Sequence, residues 1–244
     1  MNRGSFALFL TKMLWIKYSA PDRGTFCLNS TRYYREHGYE KPNDRSFDRH
    51  ENEIALGDSI ASGNEGLVSC WVVLKQPEID WMIRRKEFPK KSIAILSTVG
   101  KVRGLIEQHL KWFIMQPWQF EHKRVRYDDW TLRKLKGFDV KSATDHIFWK
   151  DPQYKSQEEY RFALKLKANQ SDLTTLIFRI EPSEYIDLVR VASNQPENIE
   201  NIKKREDVHK LMAWTKCSGV KLQLDTEVSG GILDSDTTMQ ISTR

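Results

Sequence analysis

The sequence lacks the short motifs that announce a common chemistry. It has no GxGxxG and no GxxxxGK[ST] string, so no local glycine loop is built to cradle phosphates as dinucleotide folds and P-loops do. HExxH and GxSxG are absent too. The six histidines, His37, His50, His109, His122, His146 and His209, are dispersed without an i,i+4 pair, so no metal site is assigned. The three cysteines, Cys27, Cys70 and Cys217, are odd in number, far apart and free of any CxxC pairing. That excludes a disulfide framework and a cysteine zinc site, and it fits a reducing, cytoplasmic setting.

Long apolar runs are also missing. Phe6–Leu10 and Met13–Ile16 are separated by Thr11 and Lys12, too short to span a bilayer and without a clean cleavage site. They read as a first core element, and no membrane partner is expected. No internal repeat or low-complexity tract occurs. Composition instead supports a packed core: 39% of residues are hydrophobic, 11% aromatic and 30% charged. Lys and Arg total 39 against 33 acids, a net charge of +6 that favours anionic partners or is an ordinary basic surface.

Periodicity divides the chain into short strands and a few helices. Strands are expected over 14–18, 25–30, 67–74, 92–97, 124–127, 160–167, 174–180 and 220–224. Helices are expected over 78–86, 102–115 and 197–214, the second from Val102, Leu105, Ile106, Leu110 and Phe113 at spacings of three and four. Residues 33–52 read as a charged loop with aromatic anchors. The strands at 160–167 and 174–180, joined by a turn region, are candidates for an antiparallel pair. Strands gathered early and late with helices between them give an α+β fold, a mixed, largely antiparallel sheet flanked by helices. One domain is expected over 1–228, followed by a flexible polar tail over 229–244.

Two segments carry candidate chemistry. In Gln157-Glu158-Glu159-Tyr160-Arg161, at the start of a late strand, alternation puts Glu159 and Arg161 on one face and Glu158 and Tyr160 on the other. A carboxylate beside a guanidinium is a structural ion pair, a positioned base, or a group that stabilises a developing cation. At the Asn29-Ser30-Thr31-Arg32 corner, hydroxyls and an arginine at a strand end either hold phosphates or cap a turn. Cys70, inside an apolar strand, reads as core, with no neighbour in sequence to lower its pKa. Basic stretches occur at Arg84-Arg85-Lys86, Lys90-Lys91, His122-Lys123-Arg124 and Lys203-Lys204-Arg205, and Trp112, Trp118, Phe120, Tyr127 and Trp130 flank one of them. Cations interleaved with aromatics suit single-stranded nucleic acid, or plain amphipathic packing.

Several pieces in order resemble a large bacterial and phage group of single-domain proteins carried as a domain of unknown function, some encoded beside abortive-infection genes. They are Ile16-Lys17-Tyr18, Phe26–Ser30, the acidic Phe47-Asp48-Arg49-His50-Glu51, Ser69-Cys70-Trp71, Trp81 before Ala94-Ile95, and a late block of Lys150, Tyr154, Glu158, Glu159, Tyr160 and Arg161. The likeness spans about residues 14–190 and departs at Asn43-Asp44, where the group's following proline is absent. It implies a role in phage–host conflict. The order of a Tyr strand, a Ser strand and a late Glu is also similar to ADP-ribosyltransferases. That similarity implies NAD as cofactor, with Tyr18 touching the nucleotide, Ser30 supporting the ribose and Glu159 catalytic. Arg32 and Arg161 join them as cofactor-binding candidates, and the target is a nucleic acid or a protein. The alternative is a non-catalytic factor that binds nucleic acid or protein through the basic aromatic surface.

Overall fold

The computed structural model describes residues 9–14, 25–33, 53–56, 59–62, 66–75, 93–111, 119–128, 145–165, 173–192 and 204–225. The expected class holds: the fold is α+β, with a mixed, largely antiparallel sheet and a few helices. The chain divides into two compact units, one of Met1–Phe26, Val73–Glu107 and Arg179–Arg244, the other of Cys27–Val72 and Gln108–Phe178.

In the first unit, β1 (Phe9–Leu14) pairs antiparallel with β6 (Ile93–Thr98), in register from Phe9↔Thr98 to Leu14↔Ile93. Next to β6 lies β12 (Leu188–Ala192), again antiparallel, and β12 then pairs in parallel with β13 (Lys221–Asp225). A parallel neighbour needs a crossover, and helix α2 (Glu206–Ser218) lies in that connection. Val208, Leu211 and Thr215 are its buried residues at spacings of three and four. Gly219 ends the helix in the left-handed region, φ 69°, a conformation that glycine adopts without a Cβ penalty. The helix therefore runs past Trp214, the expected end. Helix α1 (Val99–Leu110) follows β6 directly and buries Val102, Leu105 and Ile106. The Thr98 hydroxyl accepts from Lys101 N–H (3.3 Å) and caps its start, three residues before the apolar spacing begins.

The second unit centres on β5 (Gly66–Leu74), an apolar strand buried along nearly its whole length. One edge of β5 meets β2 (Thr25–Ser30), through Asn29↔Val68 and Ser30↔Leu67. The other meets β10 (Glu159–Lys165), from Glu159↔Val72 to Lys165↔Gly66. A short hairpin, β3 (Glu53–Leu56) with β4 (Ser59–Ser62), adds to the expected strands. A Cβ at Gly66 would meet the end of the buried Ile147 side chain, so a larger residue there requires Ile147 to shift. β7 (Gln119–Arg124) pairs with β10, and among the described residues with no other strand. β8 (Arg126–Tyr127) runs parallel to β9 (Trp149–Lys150).

Two sequence expectations are corrected by this topology. The strands at 160–167 and 174–180 do not form a hairpin. β10 is taken by β5 and β7, while β11 (Thr175–Arg179) lies beside β2. The short strand at 124–127 is two strands, of which β7 carries no periodic signal. Its Gln-Phe-Glu-His-Lys-Arg sequence is polar because the strand sits at an edge. The expected helix at 78–86, the loop at 34–52 and the tail at 229–244 lie outside the described residues, as do Tyr18 and residues 112–118. Among the described residues no helix is long and apolar enough to cross a membrane.

Candidate functional site

The late block builds itself locally. Asp151 accepts a hydrogen bond from Gln153 N–H (3.0 Å) and Pro152 follows, an N-cap with proline at the first helical position. A 3-10 turn over Pro152–Gln157 results. Three residues per turn place Tyr154 and Gln157 above one another on one side. Glu158 then stops the turn with φ 43° and ψ 49°, and its N–H bonds to Lys155 C=O (3.2 Å). Glu159 begins the strand. Glu158 is thus a cap residue rather than the strand partner of Tyr160.

A left-handed backbone costs a residue with a side chain about 1–2 kcal/mol. Glu158→Gly is therefore expected to leave the fold intact and raise stability by up to ~1 kcal/mol, offset in part by the freedom of glycine in the unfolded chain. A urea midpoint that falls with an unchanged m-value would contradict this reading.

Glu159 and Arg161 share a face, as alternation requires, and both are buried, with 5% and 1% of their surface exposed. Arg161 Nε donates to Glu159 Oε1 (2.7 Å) and Nη2 to Oε2 (3.3 Å), a fork that matches the planar carboxylate. Arg161 Nη1 donates to Ile147 C=O (2.5 Å). Lys150, delivered by β9 and itself buried, donates to Glu159 Oε2 (3.0 Å) and to Gln157 Oε1 (2.8 Å). The Tyr154 ring lies 5.1 Å from Lys150 Nζ. Tyr127, register partner of Lys150, accepts from Glu159 N–H (2.8 Å) through its hydroxyl. Beneath the cluster pack Val68, Ile147, Phe148, Trp149 and Ala163, with Cys70 against them.

The strand at 159–165 is consequently buried on both faces, although its charged residues suggested a half-exposed one. Its charges are interior because they neutralise one another, and Tyr160, Phe162 and Leu164 occupy the other face.

Burial by itself pushes the Glu159 carboxyl upward. The Arg161 guanidinium and the Lys150 ammonium outweigh it and hold the group well below the usual carboxylate range. Cys70, directly across from Arg161, bonds to Glu159 through its thiol. Burial, then the Glu159 charge, push that thiol up to about 12. Cys70 keeps some exposed surface, but its sulfur is desolvated and protonated, the opposite of an activated nucleophile. The same two causes lift Tyr127 to about 12.

Of the residues singled out in sequence, the structure brings Glu159 and Arg161 together. Ser30 sits elsewhere. It faces Leu67 across one edge of β5, whereas Glu159 faces Val72 across the other, five residues along. At about 3.4 Å per residue that offset alone is roughly 17 Å. The Ser30 hydroxyl accepts from Tyr33 N–H (3.0 Å), so it caps the turn at residues 31–33, and Arg32 beside it is exposed. Tyr18 lies outside the described residues. Gln157 opens the segment that the sequence singles out and Tyr127 is among its flagged aromatics, but their contacts with Lys150 and Glu159, and that of Cys70 with Glu159, are additions that the sequence pattern does not show. For Tyr127 the missing signal is the β8–β9 register, which nothing in the local pattern encodes. Among the described residues no group of three or more His, Cys, Asp or Glu side chains is placed to hold a metal ion. No protein-family model, curated protein or solved structure matches the chain.

Proposed function

We propose that this chain is a phage–host conflict protein that acts by binding single-stranded nucleic acid along the β7–β8 edge, without catalysis at Glu159. The observation that carries the reading is the run of Lys123 and Arg124 on β7, an edge strand among the described residues, continued by Arg126 on the adjoining β8. Arg124 is exposed and the side chains of Lys123 and Arg126 are 41% and 65% exposed. Each of the latter two shares a neighbouring acid, Lys123 with Glu121 (3.6 Å) and Arg126 with Asp128 (3.4 Å). At such exposure an ion pair contributes little and salt screens it, so a phosphate chain competes for the cations. Lys123 and Arg126 also lie over the Phe148 and Trp149 rings, at 4.6 Å and 5.2 Å from the centroids, which stiffens the strip.

Glu159 suits the other role poorly. Both of its oxygens are taken by cations, and a carboxylate flanked by two positive charges stabilises a developing oxocarbenium weakly. Four residues of the late block that carries the resemblance to the bacterial and phage group, Lys150, Tyr154, Glu159 and Arg161, converge on a single cluster. ADP-ribosyl transfer from NAD stays as the second reading, carried by the order of a Tyr strand, a Ser strand and a late Glu.

Oligonucleotide affinity measured against salt separates the two. The wild type should bind a single-stranded oligonucleotide at low salt. Arg124→Ala with Arg126→Ala should weaken binding and lower the slope of log K against log salt by about 0.7 for each phosphate no longer neutralised. Absence of binding at low salt would remove the nucleic-acid reading. NAD consumption by purified wild type, abolished in a folded Glu159→Gln variant, would establish the second.

A further inference from the structure

Strand β13 ends the sheet of the first unit. Among the described residues its one strand neighbour is β12, which it follows in parallel from Leu188↔Lys221 to Ala192↔Asp225. Register partners share a face, so Leu222 and Leu224 extend the surface formed by the fully buried Val189 and Val191. Leu222 and Leu224 themselves are half-buried, and Lys221 is exposed. An edge strand offers its backbone donors and acceptors as a template for a further strand.

The residues of β13 select which strand that is. Lys221-Leu222-Gln223-Leu224-Asp225 is complementary to its own reversal. Laid antiparallel against a copy about a two-fold axis at Gln223, Lys221 takes the register position opposite the copy's Asp225. Leu222 then meets Leu224, and Gln223 meets itself. Opposite charges and apolar pairs directly across an antiparallel ladder stabilise it, whereas like charges there destabilise it. Every position of the strand is matched, and the symmetry repeats each match. Strand β11, at the other end of the sheet, has no such charge match, because the same operation about Ile177 sets Arg179 against Thr175. We infer that β13 is a self-association edge, where two copies of this chain pair antiparallel through Lys221–Asp225. Such a contact is isologous and closes at two chains rather than growing into a filament. It uses none of the residues of the β7–β8 strip.

Sedimentation of the full chain over a concentration series tests it, with circular dichroism to confirm that each variant is folded. The wild type should form a reversible dimer. Gln223→Lys and Gln223→Glu each set like charges against one another on the axis, and each alone should weaken the dimer by about tenfold or more. An equimolar mixture of the two sets Lys against Glu and should recover it. Lys221→Glu should weaken the dimer too, and adding Asp225→Lys to the same chain should restore it. A wild type that stays monomeric throughout the series overturns the inference. So does a dimer that Gln223→Lys leaves unchanged, or a mixture of the two position-223 variants that stays dissociated. A dimer lost through Ile177→Lys instead, at the exposed centre of β11, would also overturn it.

Discussion

Glu159→Gln is expected to destabilise the fold by about 3–5 kcal/mol, although the two side chains are nearly isosteric. The carboxylate accepts from Arg161 Nε and Nη2 and from Lys150 Nζ, inside a site where all three residues are buried. With glutamine there, a guanidinium and an ammonium face a neutral amide, and one end of that amide is itself a donor. The desolvation of both cations persists while their shared counter-charge is gone. For a chain of this length the loss corresponds to a fall in Tm of roughly 10 °C or more. Equilibrium urea unfolding measures it directly. A loss under about 1 kcal/mol would show that the cluster is solvated and contributes no more than a surface pair.

Pairing is testable in the same experiment. Lys150→Met alone should cost less than Glu159→Gln, because Arg161 continues to compensate the carboxylate. Combining both should cost less than the sum of the two, since the second change removes a cation that the first had stranded. Strict additivity would mean that Lys150 and Glu159 do not interact.

The second large effect is a loss of stability on the alkaline side. The Cys70 thiol is raised from 9.0 to about 12 in the folded chain. Its contribution is therefore fully present below pH 9 and is lost as pH rises toward 12. In that window the unfolded chain releases a proton that the folded chain retains. At pH 11 the difference amounts to about 2–3 kcal/mol for this one group. Tyr127, raised from 10.0 to about 12, adds in the same direction. Glu159 behaves oppositely. Its depressed pKa gives stability that is present above the ordinary carboxylate range and is lost only as pH falls below it. Urea midpoints between pH 8 and 11 should thus fall steeply for the wild type and less steeply for Cys70→Ala. An identical slope in the variant would mean that the thiol titrates freely.

The division between what sequence conveys and what it does not follows from the range of each signal. Alternation over 159–165 correctly sets Glu159 and Arg161 on one side, because that depends only on the pleat. The apolar run of β5 and the spacing of Val102, Leu105 and Ile106 are legible for the same reason. Pairing is not. Proximity in sequence favours a hairpin between the strands at 160–167 and 174–180. The structure instead matches β10 with strands some 40 and 90 residues upstream, a choice made by burial of both its faces. The edge strand β7 escapes detection because an edge needs no apolar alternation. At the site, Lys150 is visible in sequence only through the resemblance. The Tyr127 contact depends on the β8–β9 register, and Gln157 on the three-residue period of a turn that the Asp151 cap sets up.

One carboxylate serving two cations also constrains how this segment can evolve. Exchange of Glu159 alone strands two cations in the interior, and exchange of Lys150 or Arg161 alone removes one of the carboxylate's two partners, so each single step passes through a weakened chain. An apolar replacement of the trio requires several coordinated changes, and every partial route is worse than either end. The cluster behaves as one heritable unit, retained or exchanged as a whole. Divergence should accumulate first around it, at the exposed positions Gln153, Lys155 and Ser156 of the neighbouring turn.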